Sequence, residues 1–185
     1  MITSRRLSTA FVVLATSLAA APALAERFTF PTTLSGYNET PSTLNSPANG
    51  SFVAKISKDE SSISYALSYD GLTTNVLFAH IHFGRPSLNG GVVLFLCTNA
   101  APPANVPVPP VCPLTSGTVS GTLTAANVIA VAGHGIDAGA AGLAEMIKAL
   151  RNGAAYANVH TTLRPGGEIR GPLGKAGDDD ENDDD

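Results

Sequence analysis

The sequence has few histidines, few cysteines and few basic residues. Four histidines, two cysteines and 11 Lys and Arg residues occur among 185 positions. No basic stripe is present that would neutralise phosphates, so a nucleic acid is not expected as a partner. The sequence also lacks a Gly-x-Ser-x-Gly elbow, a P-loop and a Cys-His nucleophile pair, so hydrolase and nucleotide-binding functions have no support.

The most apolar stretch near the N-terminus is too short for a membrane span. This run, Leu7–Leu18, follows Arg5-Arg6 and precedes Ala23-Leu24-Ala25, a small-x-small site. The pattern is typical of a secretory signal peptide, so we predict that residues 1–25 are removed. The arginine pair also leaves the twin-arginine route open. We therefore expect an exported protein, periplasmic or extracellular, without a membrane span after cleavage.

The acidic residues are concentrated at the C-terminus. Residues 178–185 carry seven acidic groups, whereas residues 26–177 carry nine basic and eight acidic groups. We therefore predict one nearly neutral domain over residues 26–174 and an acidic, disordered tail over residues 175–185. Weak calcium binding by the tail is the less favoured alternative, because the alternating ligands and glycine of a calcium loop are missing.

Two cysteines, Cys97 and Cys112, flank the proline-rich segment Ala101–Pro110. Proline donates no backbone hydrogen bond, so such a segment cannot hold itself in place. A disulfide between the cysteines is the simplest interpretation, and it would stabilise a loop of about 15 residues by roughly 3 kcal/mol. A two-cysteine metal or redox site is the alternative, which the wide spacing disfavours.

Short runs of alternating apolar and polar residues predict a β-protein. Residues 52–57 and 63–69 alternate across a polar turn and indicate a hairpin with one apolar face. Residues 75–83 are apolar on both faces, which indicates a strand covered on both sides. Further strands are predicted at residues 28–34, 92–97, 117–123, 154–161 and 168–173. With one amphipathic helix at residues 138–152, the pattern predicts an antiparallel β-sandwich with Greek-key connections.

Three histidines form the candidate metal site. His80 and His82 are two residues apart in a predicted strand, so their imidazoles leave the same face. His160 lies in another predicted strand, and three imidazoles suit a late first-row metal, with copper the first choice and zinc the second. The alternative is that these histidines only hydrogen-bond to the backbone. His134 lies between two glycines and is expected to be exposed.

The metal hypothesis also makes a geometric prediction. Without an ion, the three ring nitrogens should lie about 3 to 4.5 Å apart, beside an opening with room for a fourth ligand. Tyr156 and Asn158 share the face of His160 and are candidate partners of the ligands. Glu168 and Arg170 also share a strand face, where we expect a salt bridge rather than a role in orienting ligands.

Four segments resemble the CHRD domain, which was first described in chordin and is widespread in exported bacterial proteins. They are Ala79–Gly84, Gly91–Leu96, Tyr156–Thr161 and Pro165–Gly171, and the resemblance extends over residues 28–173. It implies an immunoglobulin-like sandwich, similar to copper/zinc superoxide dismutases with their His-x-His strand, and no established enzymatic activity. Chordin also contains growth-factor-binding modules that this chain lacks, so that activity is not implied.

These observations lead to a functional hypothesis with two alternatives. We expect a non-catalytic, exported binding module with a copper-type site at His80, His82 and His160. A copper-only enzyme of the superoxide dismutase type is one alternative, because four histidines are too few for paired copper and zinc sites. A structural or adhesive surface module without metal is the other.

Overall fold

A computed structural model describes residues 28–174, which form one antiparallel eight-stranded sheet and one α-helix. The predicted signal peptide and acidic tail lie outside these residues. In chain order the strands are β1 (Thr29–Ser35), β2 (Asn49–Ile56), β3 (Ser62–Asp70), β4 (Val76–Phe83), β5 (Gly91–Thr98), β6 (Gly117–Thr124), β7 (Ala155–Thr161) and β8 (Ile169–Leu173).

The sheet divides into two halves. Its strand order is β5-β4-β7-β8-β1-β2-β3-β6, and β8 is joined to β1 through one paired position, Ser35 with Arg170. The chain crosses between the halves in the connections β3 to β4, β5 to β6 and β6 to β7. The prediction of an all-β, antiparallel sandwich is confirmed.

The β2–β3 hairpin shows how the sequence pattern produces this fold. Phe52, Ala54 and Ile56 are buried, while the residues between them are partly or fully exposed. On β3, Ile63 and Leu67 are fully buried and pair across the hairpin with Ile56 and Phe52. Each large apolar side chain buried in this way contributes roughly 1.5 to 3 kcal/mol, which fixes the face that β2 and β3 turn inward.

Tyr65 links the two halves through the core. Its ring is 6% exposed, and its hydroxyl group, on β3, donates a hydrogen bond of 2.5 Å to the carbonyl oxygen of Leu96 on β5. Burial raises the pKa of Tyr65 to about 12, so the hydroxyl group keeps its proton and remains a donor.

The helix α1 (Gly139–Arg151) covers part of the core, close to its predicted bounds. Its buried face consists of apolar side chains spaced three or four residues apart, namely Leu143, Met146, Ile147 and Leu150. The chain leaves the helix at Gly153, whose φ of 63° suits glycine. Among the described residues, no helix has both the length and the apolar character needed to cross a membrane.

The disulfide between Cys97 and Cys112 is present, as predicted. The Asn99 side chain reinforces the closure, because its Nδ2 donates to the Cys112 carbonyl oxygen and its Oδ1 accepts from the Cys112 N–H, each at 3.1 Å. The proline-rich loop is therefore held at its ends by a covalent bond and by side-chain hydrogen bonds.

Candidate metal centre

The three histidines of the candidate site lie on neighbouring strands, with His80 and His82 on β4 and His160 on β7. Ala79 and Ile81, which alternate with the β4 histidines, point into the apolar core. The imidazoles therefore leave the opposite face of this half of the sheet. Their cross-strand neighbours lie on the same face: His82 pairs with Tyr156, and His80 pairs with Asn158 on β7 and with Phe95 on β5.

The structure brings the three imidazoles together. The ring centroid of His80 lies 5.5 Å from that of His82 and 5.0 Å from that of His160, and His82 and His160 are 5.9 Å apart. One nitrogen from each ring belongs to a group whose members all lie within 4.8 Å of one another. This limit exceeds the expected 4.5 Å. Nitrogens bound at 2.0 to 2.1 Å to one tetrahedral ion are about 3.4 Å apart, so a pair at the 4.8 Å limit would have to approach by about 1.4 Å before an ion could bind.

Backbone carbonyl groups define which nitrogens of two histidines carry hydrogen. The Nδ1 of His82 lies 3.1 Å from the Gly90 carbonyl oxygen, and the Nδ1 of His160 lies 3.0 Å from that of Pro165. A carbonyl oxygen only accepts, so each neutral ring must donate from Nδ1 and keep a lone pair on Nε2. Both Nε2 atoms are buried without a hydrogen-bond partner in the described structure, and so are both ring nitrogens of His80.

The environment keeps these rings neutral. His80, His82 and His160 are 3%, 7% and 6% exposed, and desolvation lowers their pKa values. The pKa falls to about 4 for His82 and for His160, because the hydrogen bonds to carbonyl oxygens offset only part of the desolvation. The neutral imidazole is the form that binds a metal ion.

Aromatic rings cover the histidine cluster. Phe78 and Phe95 pack against His80 with centroid distances of 4.6 and 4.1 Å, and Phe78 also lies 5.0 Å from His160. Both phenylalanines are partly exposed, whereas the histidines have little contact with solvent. The histidines thus have little exposure in this structure, and the opening expected for a fourth ligand stays a prediction.

Arg170 is buried beside the cluster and forms a salt bridge, but not with Glu168 as the sequence had suggested. Its Nε lies 3.4 Å from Oε2 of Glu39, and both side chains are 3% exposed. Its remaining donors reach four oxygen atoms, those of the Thr40 hydroxyl group, the Pro86 and Leu88 carbonyls and the Asn89 side chain.

The Glu168 carboxylate accepts hydrogen bonds from other residues, which explains why the predicted ion pair with Arg170 is wrong. The carboxylate is fully buried and accepts hydrogen bonds from the hydroxyl groups of Ser46, Thr73 and Thr161 and from the Thr73 N–H. Burial disfavours the charged form, but these hydrogen bonds outweigh it and lower the pKa of Glu168. Its role in the described structure is to tie three segments together.

Sequence reasoning missed the pairing of Asn158 with Glu39. Asn158 is 1% exposed, and its Nδ2 donates to Oε1 of Glu39 at 2.7 Å. It therefore contacts Glu39 rather than serving as the hydrogen-bond partner of His160. Tyr156, the other candidate partner, stacks on His82 instead. Glu39 lies 119 residues before Asn158, and strand periodicity gives no signal for a contact of that kind. His134 is exposed, as expected.

Comparison with known proteins places the domain in a family. No match is found among curated proteins or among solved structures. The family model described as the CHRD domain matches residues 30–173, which covers all eight strands except Thr29 of β1. This range includes the three clustered histidines and both cysteines of the disulfide. The chain therefore belongs to the CHRD domain family.

Proposed function

We propose that this CHRD domain is an exported, non-catalytic module that binds one copper-type ion through His80, His82 and His160. Two observations together carry the proposal. Each of the three rings has a buried nitrogen without a hydrogen-bond partner among the described residues. Each ring also offers one nitrogen to a group whose members lie within 4.8 Å of one another. A buried polar atom without a partner costs roughly 1 to 3 kcal/mol. An ion bound at the centre of the cluster would satisfy these lone pairs.

The chemistry of the donors supports copper first and zinc second. Three neutral imidazoles suit both ions, whereas Mg²⁺ and Ca²⁺ prefer oxygen ligands. The site contains no thiolate from this domain, because both cysteines are in the disulfide. Export is supported by that disulfide and by the signal-like N-terminal sequence. His80, with neither ring nitrogen committed, is free to present either one to the ion.

Metal titration of the purified, metal-free protein tests the proposal. Copper or zinc should bind one equivalent and raise the melting temperature, since an ion at 100 times its Kd stabilises the native state by about 2.7 kcal/mol. The His80→Ala, His82→Ala double variant should lose this binding. His134→Ala is the matched control, because His134 is exposed and lies outside the cluster. Unchanged binding in the double variant would contradict the proposed site.

The same preparation separates the two alternative functions. Dismutase activity that depends on copper and on the three histidines would identify a redox enzyme rather than a binding module. If neither copper nor zinc shifts the melting temperature of the wild-type domain, the structural or adhesive module without metal is supported instead.

A further inference from the structure

The geometry points to Arg170 and Tyr156 as positioning residues that present His82 to the metal ion. This inference rests on the proposed metal site, although neither residue is a ligand there. Both side chains bind the segment Pro86–Gly90, and this segment supplies the carbonyl oxygen that fixes the His82 proton. Metal affinity should therefore depend on two side chains that do not touch the ion.

The first connection is a stack of side chains across three neighbouring strands. The rings of His82 on β4 and Tyr156 on β7 are nearly parallel, with an angle of 7° and centroids 4.6 Å apart. The guanidinium carbon of Arg170 on β8 lies 4.1 Å from the Tyr156 centroid. Contacts of a guanidinium group with an aromatic face are favourable, and more so when both groups are buried. The stack limits the rotation of the His82 ring.

The second connection is a set of hydrogen bonds to the segment Pro86–Gly90. Arg170 donates from Nη1 to the Pro86 and Leu88 carbonyl oxygens, each at 3.1 Å, and from Nη2 to the Asn89 side chain at 3.0 Å. The Tyr156 hydroxyl oxygen accepts from the Gly90 N–H at 2.9 Å. The planar, forked guanidinium group makes several such bonds at once, which the ammonium group of lysine cannot reproduce.

Gly90 belongs to the segment that Arg170 and Tyr156 hold, and it contacts His82 directly. Its N–H is held by Tyr156, and its carbonyl oxygen accepts from Nδ1 of His82 at 3.1 Å. While that bond exists, the ring proton stays on Nδ1 and the lone pair stays on Nε2, which is buried without a hydrogen-bond partner among the described residues. If the segment shifts, the proton is free to move to Nε2, and that atom then has no lone pair to offer to an ion. The Nδ1 partner of His160 is Pro165, outside this segment, so His160 serves as an internal comparison.

Nitrogen NMR of the histidine rings in the metal-free protein shows directly whether Nδ1 or Nε2 carries the hydrogen. Wild-type His82 and His160 should both carry hydrogen on Nδ1. In Arg170→Lys and in Tyr156→Phe, His82 should become a mixture of tautomers while His160 stays unchanged. The Kd for copper should rise 10- to 100-fold in both variants, the usual effect of losing a partner that orients a ligand.

Arg151→Lys is the matched control for Arg170→Lys. Arg151 also has a carboxylate partner, Glu60 at 2.7 Å, and an aromatic ring, that of Phe28 at 5.9 Å, and neither of these partners belongs to the histidine cluster. This variant should keep the wild-type tautomers and the wild-type Kd. A change in the control equal to that in Arg170→Lys would overturn the inference, because the loss of any guanidinium group paired with a carboxylate would then suffice.

Tyr156→Phe keeps the test decisive if Arg170→Lys fails to fold. Tyr156→Phe removes only the hydroxyl oxygen that accepts from the Gly90 N–H, and it leaves an aromatic ring to stack on His82. Loss of thermal stability with an unchanged His82 tautomer and an unchanged Kd would show a purely structural role and overturn the inference. If the wild-type protein binds no metal, the proposed function fails, while the tautomers of the metal-free variants still decide the positioning role.

Discussion

The Nε atom of Arg170 lies 3.4 Å from the carboxylate of Glu39, in a pair whose two side chains are each 3% exposed. Desolvation nevertheless dominates over the attraction of Arg170 and raises the pKa of Glu39 from 4.5 to about 7. Burial of an ion pair has a desolvation cost that the mutual attraction does not always offset. Glu39 is therefore expected to change its charge close to neutral pH, unlike an exposed glutamate.

The stability of the protein should depend on pH through Glu39. Because its pKa is higher in the folded than in the unfolded state, folding favours the protonated form. This contribution is fully present below pH 4.5 and is lost as the pH rises through about 7. The free energy of unfolding of the wild type, relative to Glu39→Gln, should fall by on the order of 3 kcal/mol between pH 4.5 and pH 8.

Urea unfolding of the wild type and Glu39→Gln at several pH values measures this difference. The comparison cancels the titration of the histidines, which is common to both proteins. Glu145→Gln is the control, since Glu145 lies on α1, where its Oε2 accepts a hydrogen bond from the Asp137 N–H at 2.8 Å. A difference between wild type and Glu39→Gln that stays constant across this pH range would contradict the raised pKa.

In the metal-free protein, the histidine cluster should make the free energy of unfolding fall as the pH is lowered, whereas Glu39 should make it fall as the pH is raised. The pKa values of His82 and His160 are lowered from 6.5 to about 4, so folding favours the neutral rings. Their contribution to stability is present above pH 6.5 and is lost as the pH falls through about 4. Acidification from pH 7 to pH 4.5 should cost roughly 2 to 3 kcal/mol for each of these two histidines.

His160→Gln isolates one of these contributions. Its loss of unfolding free energy between pH 7 and pH 4.5 should be smaller than that of the wild type, when both are measured by urea unfolding without metal. His134→Ala should follow the wild-type curve, because His134 is exposed. Parallel curves for the wild type and His160→Gln would show that His160 is not held neutral by the fold.

Local periodicity predicted the strands and the shared face of His80 and His82, whereas the contact of His160 with them depends on the pairing of β4 with β7. A spacing of two residues in a strand places His80 and His82 on one face, and in β2 and β3 the apolar alternation also predicts which face is turned to the core. Glu168 and Arg170 obey the same spacing, yet the predicted salt bridge is wrong. Two of the three residues that hydrogen-bond to Glu168, Ser46 and Thr73, lie 122 and 95 residues away in the chain. Periodicity contains no information about such partners, which depend on how the loops pack over the sheet.

Replacement of Glu168 by glutamine tests its buried hydrogen bonds. The variant keeps the size of the side chain but places an NH₂ group against donors from Ser46, Thr73 and Thr161. At least one of these donors then loses its acceptor, and in each case a hydrogen bond to a charged group is lost, so the unfolding free energy should fall by about 2 to 3 kcal/mol. Glu60→Gln, on a half-exposed carboxylate paired with Arg151, should lose less than about 1 kcal/mol. Equal losses in calorimetry would contradict this account of Glu168.

Two adjacent glycines near the cluster should respond very differently to the same substitution. A Cβ atom at Gly167 would lie 2.6 Å from Oδ1 of Asn158 and 2.7 Å from Oε2 of Glu39, whereas a Cβ at Gly166 would have nothing within 4 Å. Gly167 also has a φ of 128°, which residues with a side chain rarely adopt. Gly167→Ala should therefore destabilise the fold by about 2 kcal/mol or more, and Gly166→Ala by less than about 0.5 kcal/mol.

Thermal unfolding of the two alanine variants, measured together, checks this prediction and the rigidity of the Glu39–Asn158 pair. The added methyl group at residue 167 must either displace the carboxylate that pairs with Arg170 or strain its own backbone. Because Arg170 also holds Pro86 and Leu88, displacement of Glu39 should reduce hydrogen-exchange protection around Gly90 in Gly167→Ala but not in Gly166→Ala. Equal melting temperatures for the two variants would mean that Glu39 and Asn158 can move aside at little cost in free energy. The pair would then not hold Arg170 in place.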